Sequence, residues 1–327
     1  MSASPYPNDR IFASSKWSAK YCDRTKANEP PLLAPGLNTV YNAGMTRQEA
    51  GGLVFFTSDA MDTVHAFSTR VGGVSPAPYD SLNLGGSATD SRGNILENYT
   101  RFGKAAGFDW KRLVFTKQVH GSRVRVVGGR QSGEGLFGES QECDCLLTDT
   151  PGLPVAVFGA DCVPILLYDP LRRAVGAVHA GWRGTAQGIA GAAVSAMGAA
   201  FGTDPRHLRA AIGPGIGPCC FETDADVPDA LRNLGAGAGF SGLHDCIRQC
   251  GDGARFRVDL KAINAALLLK AGLLGENIDT CELCTSCNPG LFFSHRRNGA
   301  NRGLQAAVIQ VRELRDQEYG ACAEVLL

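Results

Sequence analysis

Residues 159–185 read GADCVPILLYDPLRRAVGAVHAGWRGT, and this stretch determines how the rest of the chain can be interpreted. Two apolar runs, 163–168 and 174–178, are separated by the sequence DPLR at 169–172. Aspartate and proline favour a turn, and short apolar runs on either side of a turn favour strands. The stretch therefore predicts a β-hairpin.

Cys162 and His179 lie at the open end of this predicted hairpin. If Asp169 pairs with Arg172, Cys162 is directly opposite His179, and opposed side chains have Cβ atoms about 4.5–5.5 Å apart on one face. A thiolate and an imidazole at that distance can share one metal ion or one proton. A slip of one residue would send them to opposite faces, and a buried cysteine beside a hydrogen-bonded histidine is the alternative. An aspartate before the cysteine and a GWRG run after the histidine favour a site.

The composition gives no global attraction to nucleic acid or anionic membranes. Lys plus Arg and Asp plus Glu each number 32 in the 327 residues, so the formal net charge is zero. No window approaches the roughly 18 consecutive apolar residues of a membrane span. Because residues 1–35 lack a signal-peptide pattern, we expect a cytoplasmic protein whose 12 cysteines are reduced. We also expect a monomer that binds a small molecule.

Periodicity divides the chain into two parts. Residues 1–50 are proline-rich with little periodicity and predict an irregular N-terminal extension, whereas residues 51–327 predict one catalytic domain. The predicted strands are 53–57, 64–68, 113–115, 123–127, 143–148 and 208–212, and the predicted helices are 94–107, 184–200 and 258–272.

Three places outside the hairpin carry reactive or charged side chains. Arg70 follows a predicted strand at a glycine turn, where its guanidinium could bind phosphate, although an isolated arginine is commonly an ordinary surface residue. His120 precedes a glycine at another strand end, where a lone histidine is commonly structural. Phe293 and Arg296 combine an aromatic ring with positive charge, which suits stacking a base beside an anion.

The remaining cysteines give a weaker metal signal. Cys281, Cys284 and Cys287 form Cys-x-x-Cys-x-x-Cys, which could open a zinc or iron–sulfur site. A fourth ligand is missing nearby, where only His295 is close, so we favour the interpretation in which they bind no metal. The other cysteines of this half have no recognisable metal spacing and are predicted to be inert: Cys219, Cys220, Cys246 and Cys250.

Five motifs together resemble the YfiH-type family, whose members have been called laccase-domain proteins, polyphenol oxidases and purine nucleoside phosphorylases. They are QVHG at 118–121, ADCVP at 160–164, HAGWRG at 179–184, IGP at 212–214 and FSHRR at 293–297. The resemblance covers about residues 53–311, and the first fifty residues have no counterpart in it.

The resemblance implies an α/β (α+β) fold, namely a single-domain αββα sandwich with mixed β-sheets. It also implies a zinc ion, whose ligands carried over by motif are His120, Cys162 and His179. The predicted hairpin places Cys162 and His179 together independently of this resemblance. Zinc with three protein ligands and an open fourth position is catalytic rather than structural.

The resemblance further implies two activities, which would make the protein a transferase and a hydrolase. One is phosphorolysis of adenosine, inosine and methylthioadenosine to a free base and ribose 1-phosphate. The other is deamination of adenosine, for which zinc can activate water by lowering its pKa. The expected partners are therefore purine nucleosides and phosphate.

Roles follow for the side chains around the metal. Asp161 is predicted to be catalytic together with the three metal ligands, and Asp144 or Asp161 is predicted to orient a ligand or move a proton. Arg70 is predicted to bind phosphate, and Phe293 and Arg296 to line the nucleoside pocket. The predicted substrate-binding residues are Arg70, Asp144, Arg183, Phe293 and Arg296.

Other classes fit part of the pattern. Two histidines and a cysteine also describe a blue-copper centre, so a copper-dependent polyphenol oxidase (laccase) is one alternative. Six histidines without a His-x-His pair are, however, too few for the further coppers that reduce dioxygen. A cysteine hydrolase with Cys162 as nucleophile and His179 or His120 as base is another, and the resemblance links it to an amidase acting on a peptidoglycan precursor. A binding module is disfavoured because the potential ligands come from three separate segments.

Overall fold

The computed structural model describes residues 44–86, 90–136, 140–235, 243–251 and 253–313. The strands in this part are β1 Met45–Ala50, β2 Leu53–Ser58, β3 Val64–Ser68, β4 Val124–Val126, β5 Cys145–Thr148, β6 Val155–Gly159, β7 Val163–Asp169, β8 Ala174–Ala180, β9 Arg209–Ile212, β10 Glu222–Thr223, β11 Ile247–Cys250, β12 Arg255–Val258, β13 Ile278–Thr280 and β14 Gln305–Gln310. The α-helices are α1 Arg92–Ala106, α2 Trp182–Ala186, α3 Ile189–Phe201, α4 Asp226–Arg232, α5 Leu260–Lys270 and α6 His295–Asn298.

Two β-sheets form the centre of the molecule. The first has five strands in the order β1-β2-β3-β14-β6, and all of its neighbouring strands are antiparallel. The second has six strands in the order β13-β9-β7-β8-β5-β4; its outermost pair at each end is parallel and its inner pairs are antiparallel. Strands β10, β12 and β11 form a third, smaller sheet.

The two large sheets pack face to face. Phe56 of β2, Val157 of β6, Leu166 of β7 and Ala177 of β8 belong to one buried cluster, which fills the space between the sheets. Successive side chains along a strand point to opposite faces, so the residues between these positions point outwards towards a second layer.

Helices cover both outer faces. On the five-stranded side, Phe55 of β2 packs against Phe102 of α1 with ring centroids 6.4 Å apart. On the six-stranded side, Ile165 of β7 shares a buried cluster with Met197 of α3 and Ile263 of α5. The layer order is helix, sheet, sheet, helix, which confirms the predicted αββα sandwich; the six-stranded sheet is mixed and the five-stranded sheet is antiparallel.

Strands β7 and β8 form the predicted hairpin with a longer loop than predicted. Asp169 pairs with Ala174 rather than with Arg172. The carboxylate of Asp169 accepts the amide hydrogens of Leu171 and Arg172 at 2.9 and 3.0 Å, and Arg173 has a left-handed φ of 51°. The predicted register is therefore wrong by two residues, because the loop has four residues instead of two.

A register error of two residues does not change the faces of the strands. His179 pairs with Pro164, which is two positions beyond Cys162. Since side chains alternate with period two, Cys162 and His179 still point to the same side of the hairpin. The prediction that Cys162 and His179 share one face of the hairpin is therefore correct, although the predicted register is not.

The prediction that residues 1–50 form an irregular extension is wrong for the last six of these residues. Residues 45–50 form β1, which pairs along its whole length with β2. The first 43 residues of this extension lie outside the described residues, as does the end of the predicted catalytic domain from 314 onwards. Among the described residues, every helix is too short or too polar to cross a lipid bilayer.

Two internal elements also differ from the prediction. The predicted strand 113–115 is reduced to an isolated bridge between Val114 and Val155. The predicted helix 184–200 is divided into α2 and α3 by Gly188, whose φ of 77° is incompatible with a continuous right-handed helix. The other predicted strands and helices are present, with ends shifted by a few residues.

Candidate metal centre

The predicted metal ligands meet at one edge of the six-stranded sheet. Cys162 immediately precedes β7, and His179 is next to the last residue of the antiparallel β8. His120 lies in the loop before β4, whose neighbour β5 begins at the same edge. The ligand atoms of the three residues lie within 4.8 Å of one another, and the two imidazole rings are nearly perpendicular with centroids 4.8 Å apart. The structure thus brings the predicted His₂Cys set together.

Gly181 lies against all three of these side chains. A Cβ atom added at this position would be 3.0 Å from Cδ2 of His120, 3.1 Å from Sγ of Cys162 and 3.8 Å from Cε1 of His179. The φ of Gly181 is −71°, which any residue adopts, so glycine is required here for space. The missing side chain leaves the sulfur and both imidazoles room to approach one ion.

Asp144 lies behind the two histidines. Its Oδ1 accepts a hydrogen bond from Nδ1 of His179 at 2.8 Å, which directs the other ring nitrogen of His179 towards the ligand group. The same carboxylate accepts the amide hydrogens of His120 at 2.9 Å and Gly121 at 2.8 Å. Asp144 is 0% exposed. Its position suits the predicted role of orienting a ligand and offers no surface for the predicted contact with substrate.

Without a metal, the ligand group holds a thiolate beside an imidazolium. Burial alone would raise the pKa of Cys162, but His179 and His120 outweigh burial and lower that pKa to about 5. Burial alone would lower the pKa of His179, but the Cys162 thiolate and Asp144 outweigh it and raise that pKa to about 9. Burial also opposes ionisation of Asp144, yet the hydrogen bond from His179 leaves the pKa of Asp144 below its usual value.

Asp161 fixes the loop that carries Cys162. Its backbone has a strained φ of 100°. Its carboxylate accepts the hydroxyl hydrogens of Thr285 at 2.6 Å and Ser294 at 3.1 Å, and the amide hydrogen of Arg296 at 2.6 Å. Three donors thus hold the side chain in place. The geometry favours a positioning role for Asp161 over the predicted catalytic one.

Arg70 and Phe293 contact each other rather than an open pocket. The Arg70 Cζ atom lies 4.8 Å from the Phe293 ring centroid, and Phe293 is 1% exposed. The guanidinium pairs with the carboxylate of Asp80 at 2.8 Å and donates to the carbonyl oxygen of Pro289 at 3.1 Å. The carboxylate weakens the case for phosphate binding by Arg70, and the burial weakens the case for base stacking on Phe293.

Arg183 and Arg296 are the other two cations among the predicted substrate-binding residues. Arg183 lies in α2, shortly after His179, and its Cζ atom is 4.2 Å from the Trp182 ring centroid. Its guanidinium has no hydrogen-bond or ion-pair partner within the part of the chain that the structure describes. Arg296 is exposed, and its Nη1 donates to the carbonyl oxygen of Glu222 at 2.8 Å. Both side chains are available to an anionic substrate.

A second group of potential ligands consists of Cys219, Cys220, Cys284 and Cys287, whose sulfur atoms lie within 4.8 Å of one another. This group is not predicted from the sequence, where Cys219 and Cys220 have no recognisable metal spacing and no fourth ligand lies near Cys281, Cys284 and Cys287. The available signal was an adjacent Cys-Cys pair that can supply two donors to a Cys-x-x-Cys pair on a distant segment. Cys281 is buried outside the group.

Neither of two cavities among the described residues is a ready-made nucleoside pocket at the His₂Cys group. The larger one, of about 490 Å³, is lined by residues such as Ser58, His65 and Arg209 and contains none of the His₂Cys ligands. A space of about 10 Å³ beside Cys162 could hold roughly one water molecule. The surface is close to the candidate ligands at Val119, which is next to His120 and 43% exposed.

The fold and the site define a class of α/β sandwich proteins with a His₂Cys group at a sheet edge. Comparison with known families identifies the class. Residues 64–312 match the family model described as multi-copper polyphenol oxidoreductase laccase. The chain belongs to this laccase-domain family, as the sequence motifs indicated.

Curated relatives of this chain are named purine nucleoside phosphorylases, whereas the family model describes an oxidoreductase. The mouse protein named purine nucleoside phosphorylase LACC1 is 36% identical over 273 residues, which cover 80% of this chain and 59% of the relative. The chain therefore spans about three fifths of the length of the mouse protein, and the same holds for its human counterpart. Purine nucleoside phosphorylase YlmD of Geobacillus stearothermophilus is 38% identical over 254 residues, covering 76% of this chain and 90% of that protein.

Solved structures show the same fold. The crystal structure of YlmD from Geobacillus stearothermophilus has a TM-score of 0.76 at 36% identity and covers 83% of this chain and 100% of its own. The crystal structure of the hypothetical protein YfiH from Bacillus licheniformis has a TM-score of 0.76 at 34% identity, covering 81% of this chain and 99% of its own.

Proposed function

We propose that this protein is a zinc-dependent purine nucleoside phosphorylase. In the proposed reaction a phosphate oxygen forms a bond to C1′ of the ribose, and the bond between C1′ and N9 of the purine breaks. The purine leaves with the electron pair and takes up a proton. Adenosine and inosine would give the free base and ribose 1-phosphate, and methylthioadenosine would give adenine and methylthioribose 1-phosphate. Deamination of adenosine to inosine is a second proposed activity of the same site.

The observation that carries this proposal is the convergence of His120, Cys162 and His179 from three separate segments, with Asp144 behind them. Relatives that are 32–38% identical to this chain over the aligned residues are named purine nucleoside phosphorylases. Their names support the reaction class, and the geometry supports the residues that perform it.

The donor set fits zinc. One thiolate and two imidazoles are ligands that Zn²⁺ accepts, and three protein ligands leave one position for substrate or water. A zinc ion bound by His120, Cys162 and His179 would supply Lewis-acid chemistry. Asp144 would fix the orientation of His179 and increase its basicity, as carboxylates commonly do for metal-binding histidines.

Arg183 is the proposed phosphate contact. Its guanidinium stacks on Trp182 and has no partner among the described residues, so it has all its N–H donors available to an anion. Arg70 already binds Asp80 and Pro289. We therefore expect Arg183→Ala to raise the KM for phosphate more than Arg70→Ala does. Equal effects of the two substitutions would contradict this assignment.

Copper oxidation of phenols is the activity in the family model's description, and the chain offers little support for a multi-copper centre. In the described ranges, only two groups of three or more His, Cys or acidic residues have their ligand atoms close together. One contains two histidines and the other contains four cysteines. Clustered histidines for several coppers are not among them.

A cysteine hydrolase is the second candidate, and one observation favours it. The Cys162 sulfur lies beside the His179 imidazole, with their ligand atoms within 4.8 Å, and His179 hydrogen-bonds to Asp144. This order of nucleophile, base and orienting carboxylate is that of a catalytic triad. The two candidates differ in whether the His₂Cys group holds zinc, because a thiolate bound to zinc is not available as a nucleophile. Rapid alkylation of Cys162 in protein that retains zinc would favour the hydrolase.

The test of the main proposal uses zinc-loaded protein with adenosine, inosine or methylthioadenosine, each with and without phosphate. We expect free base to appear only with phosphate, and ammonia from adenosine to appear without it. Cys162→Ala should abolish both reactions. Cys250→Ala is the matched control, because Cys250 is half-buried on β11 outside both ligand groups. Base release that is independent of phosphate would contradict phosphorolysis.

A further inference from the structure

Two loops bring four cysteines into contact. None of these cysteines belongs to the His₂Cys group. Cys219 and Cys220 follow β9, and Cys284 and Cys287 follow β13, the parallel neighbour of β9. All four sulfur atoms lie within 4.8 Å of one another. The Cys287 sulfur lies 3.4 Å from the sulfurs of both Cys219 and Cys220.

These distances match one tetrahedral ion. Zinc–sulfur bonds of about 2.3 Å in a tetrahedron place the sulfur atoms roughly 3.8 Å apart. In an iron–sulfur cluster the thiolates bind different iron atoms, so some of them would be further apart than in a mononuclear site. We propose that the protein binds a second metal ion, a structural Zn²⁺ held by Cys219, Cys220, Cys284 and Cys287.

The backbone around the sulfurs is shaped for such a site. A Cβ atom added at Gly217 would be 3.2 Å from Cβ of Cys284 and 3.3 Å from Sγ of Cys219. The two loops are joined by an isolated bridge, in which the amide of Thr285 donates to the carbonyl oxygen of Gly215 at 3.1 Å. Glycines thus let the two loops approach until their sulfur atoms meet.

Each loop is also held by its own hydrogen bonds. The amide of Cys220 donates to the carbonyl oxygen of Gly217 at 3.0 Å. The backbone amide and side-chain amide of Asn288 both donate to the carbonyl oxygen of Cys284, at 3.2 and 2.8 Å. The four sulfurs therefore project from two tight turns, which is a preorganised arrangement for a metal.

A nearby cation suits the charge of the proposed site. Zinc with four thiolates carries a net charge of −2, which has to be compensated in a partly buried place. Arg297 is half-buried and interacts electrostatically with Cys284 and Cys220. Its guanidinium donates to the carbonyl oxygens of Thr285 at 3.0 Å and Ser286 at 2.8 Å, within the loop that carries the ligands.

Four protein ligands close the coordination shell, so this zinc has no position for substrate and its role is structural. It would fix the loop containing Thr285, whose hydroxyl donates to Asp161 at 2.6 Å. Asp161 in turn precedes Cys162 of the first metal group. The proposed zinc would therefore stabilise the loops that position the candidate active site.

The direct test uses Cys162→Ala, which removes one ligand of the first site and leaves all four cysteines of the second. After expression with zinc, we expect about one zinc ion per chain. X-ray absorption at the zinc edge should show about four sulfur neighbours at roughly 2.3 Å. A metal-free protein, a disulfide among the four cysteines, or nitrogen and oxygen neighbours would overturn the proposal.

Paired variants separate this site from the proposed catalytic one. The double variant Cys284→Ser, Cys287→Ser should lose about one of two zinc ions, whereas Cys281→Ala, which changes the third cysteine of the same run, should lose none. Thermal unfolding of each variant with and without a chelator shows whether the bound zinc stabilises the fold. If the double variant keeps the zinc content of the wild type, the proposal is wrong, whatever the outcome for nucleoside turnover.

Discussion

At the scale of single residues, the absence of a side chain at Gly181 is as important as the three donor groups. The three ligand side chains surround this position within 3.8 Å of where a Cβ atom would lie. Its backbone has a common conformation, so a substitution there changes the available space with little backbone strain. The candidate metal centre therefore requires glycine at a position that supplies no ligand.

We predict that Gly181→Ala greatly reduces zinc binding at the His₂Cys group. The new methyl group would lie 3.1 Å from Sγ of Cys162 and would push the thiolate away from the imidazoles. Zinc content and affinity measured by chelator competition test this. Gly191→Ala is the control, since a Cβ there meets nothing within 4 Å. Unchanged affinity in Gly181→Ala would show that the three residues do not share one ion.

We predict that Asp144→Asn lowers zinc affinity by about 10- to 100-fold, the usual effect of removing an orienting carboxylate. The amide is neutral and can present its NH₂ group to Nδ1 of His179, which would disturb the ring orientation. Isothermal titration with zinc measures the change. Asp149→Asn, an exposed aspartate, should leave the affinity as it is. Equal zinc affinities for the two variants would show that Asp144 does not support zinc binding.

The pH dependence of zinc binding follows from the pKa values of the metal-free protein. Zinc needs the Cys162 thiolate and neutral His179; the pKa of Cys162 is about 5 and that of His179 about 9. Between these values zinc must displace one proton, from His179. Affinity should therefore rise by about tenfold per pH unit from pH 6 to 8 and level off above 9. Chelator competition at several pH values checks this, and an affinity independent of pH would contradict it.

The sequence could predict the candidate ligands and the orienting role of Asp144, but not the hydrogen-bond partners of Asp161 or the group of four cysteines. His120, Cys162 and His179 stand in recognisable motifs beside glycines, and the hairpin argument paired the last two. The three hydrogen bonds that the Asp161 carboxylate accepts could not be predicted, because their donors lie more than a hundred positions away in the sequence, within residues 285–296. The same reason explains why Cys219 was considered inert, since its partners are contributed by another loop.

At the scale of secondary structure, the β7–β8 hairpin determines the site. Its apolar runs and turn residues were sufficient to predict two strands. The loop length was not predictable, because Arg173 has a left-handed φ of 51°, which arginine rarely adopts. The face of each strand was nevertheless predicted correctly, since the error in register is an even number of residues.

This hairpin offers a matched pair of leucines for a stability test. Leu166 is fully buried between the two large sheets, whereas Leu171 in the loop is 66% exposed. We predict that Leu166→Ala lowers the free energy of unfolding by about 2–5 kcal/mol and that Leu171→Ala changes it by less than about 0.5 kcal/mol. Urea unfolding followed by circular dichroism measures both. Similar midpoints for the two variants would contradict the packing of the sandwich.

At the scale of the whole molecule, sheet topology gathers residues that are far apart in sequence. The starts of β5 and β7 and the end of β8 lie at one sheet edge, which places Asp144, Cys162 and His179 together. Strand β14 lies between β3 and β6 in the other sheet, a pairing over a long sequence separation that local patterns do not reveal. The layer order came instead from the family motifs.

The central claim is that the His₂Cys group supports phosphorolysis of purine nucleosides. The most direct measurement is phosphorus NMR of zinc-loaded protein with inosine and phosphate, comparing the wild type with Cys162→Ala. We predict that the wild type converts phosphate into a sugar phosphate in equal amount to the hypoxanthine released, and that the variant converts none. Hypoxanthine release with the phosphate unchanged, or equal conversion by both proteins, would contradict the account.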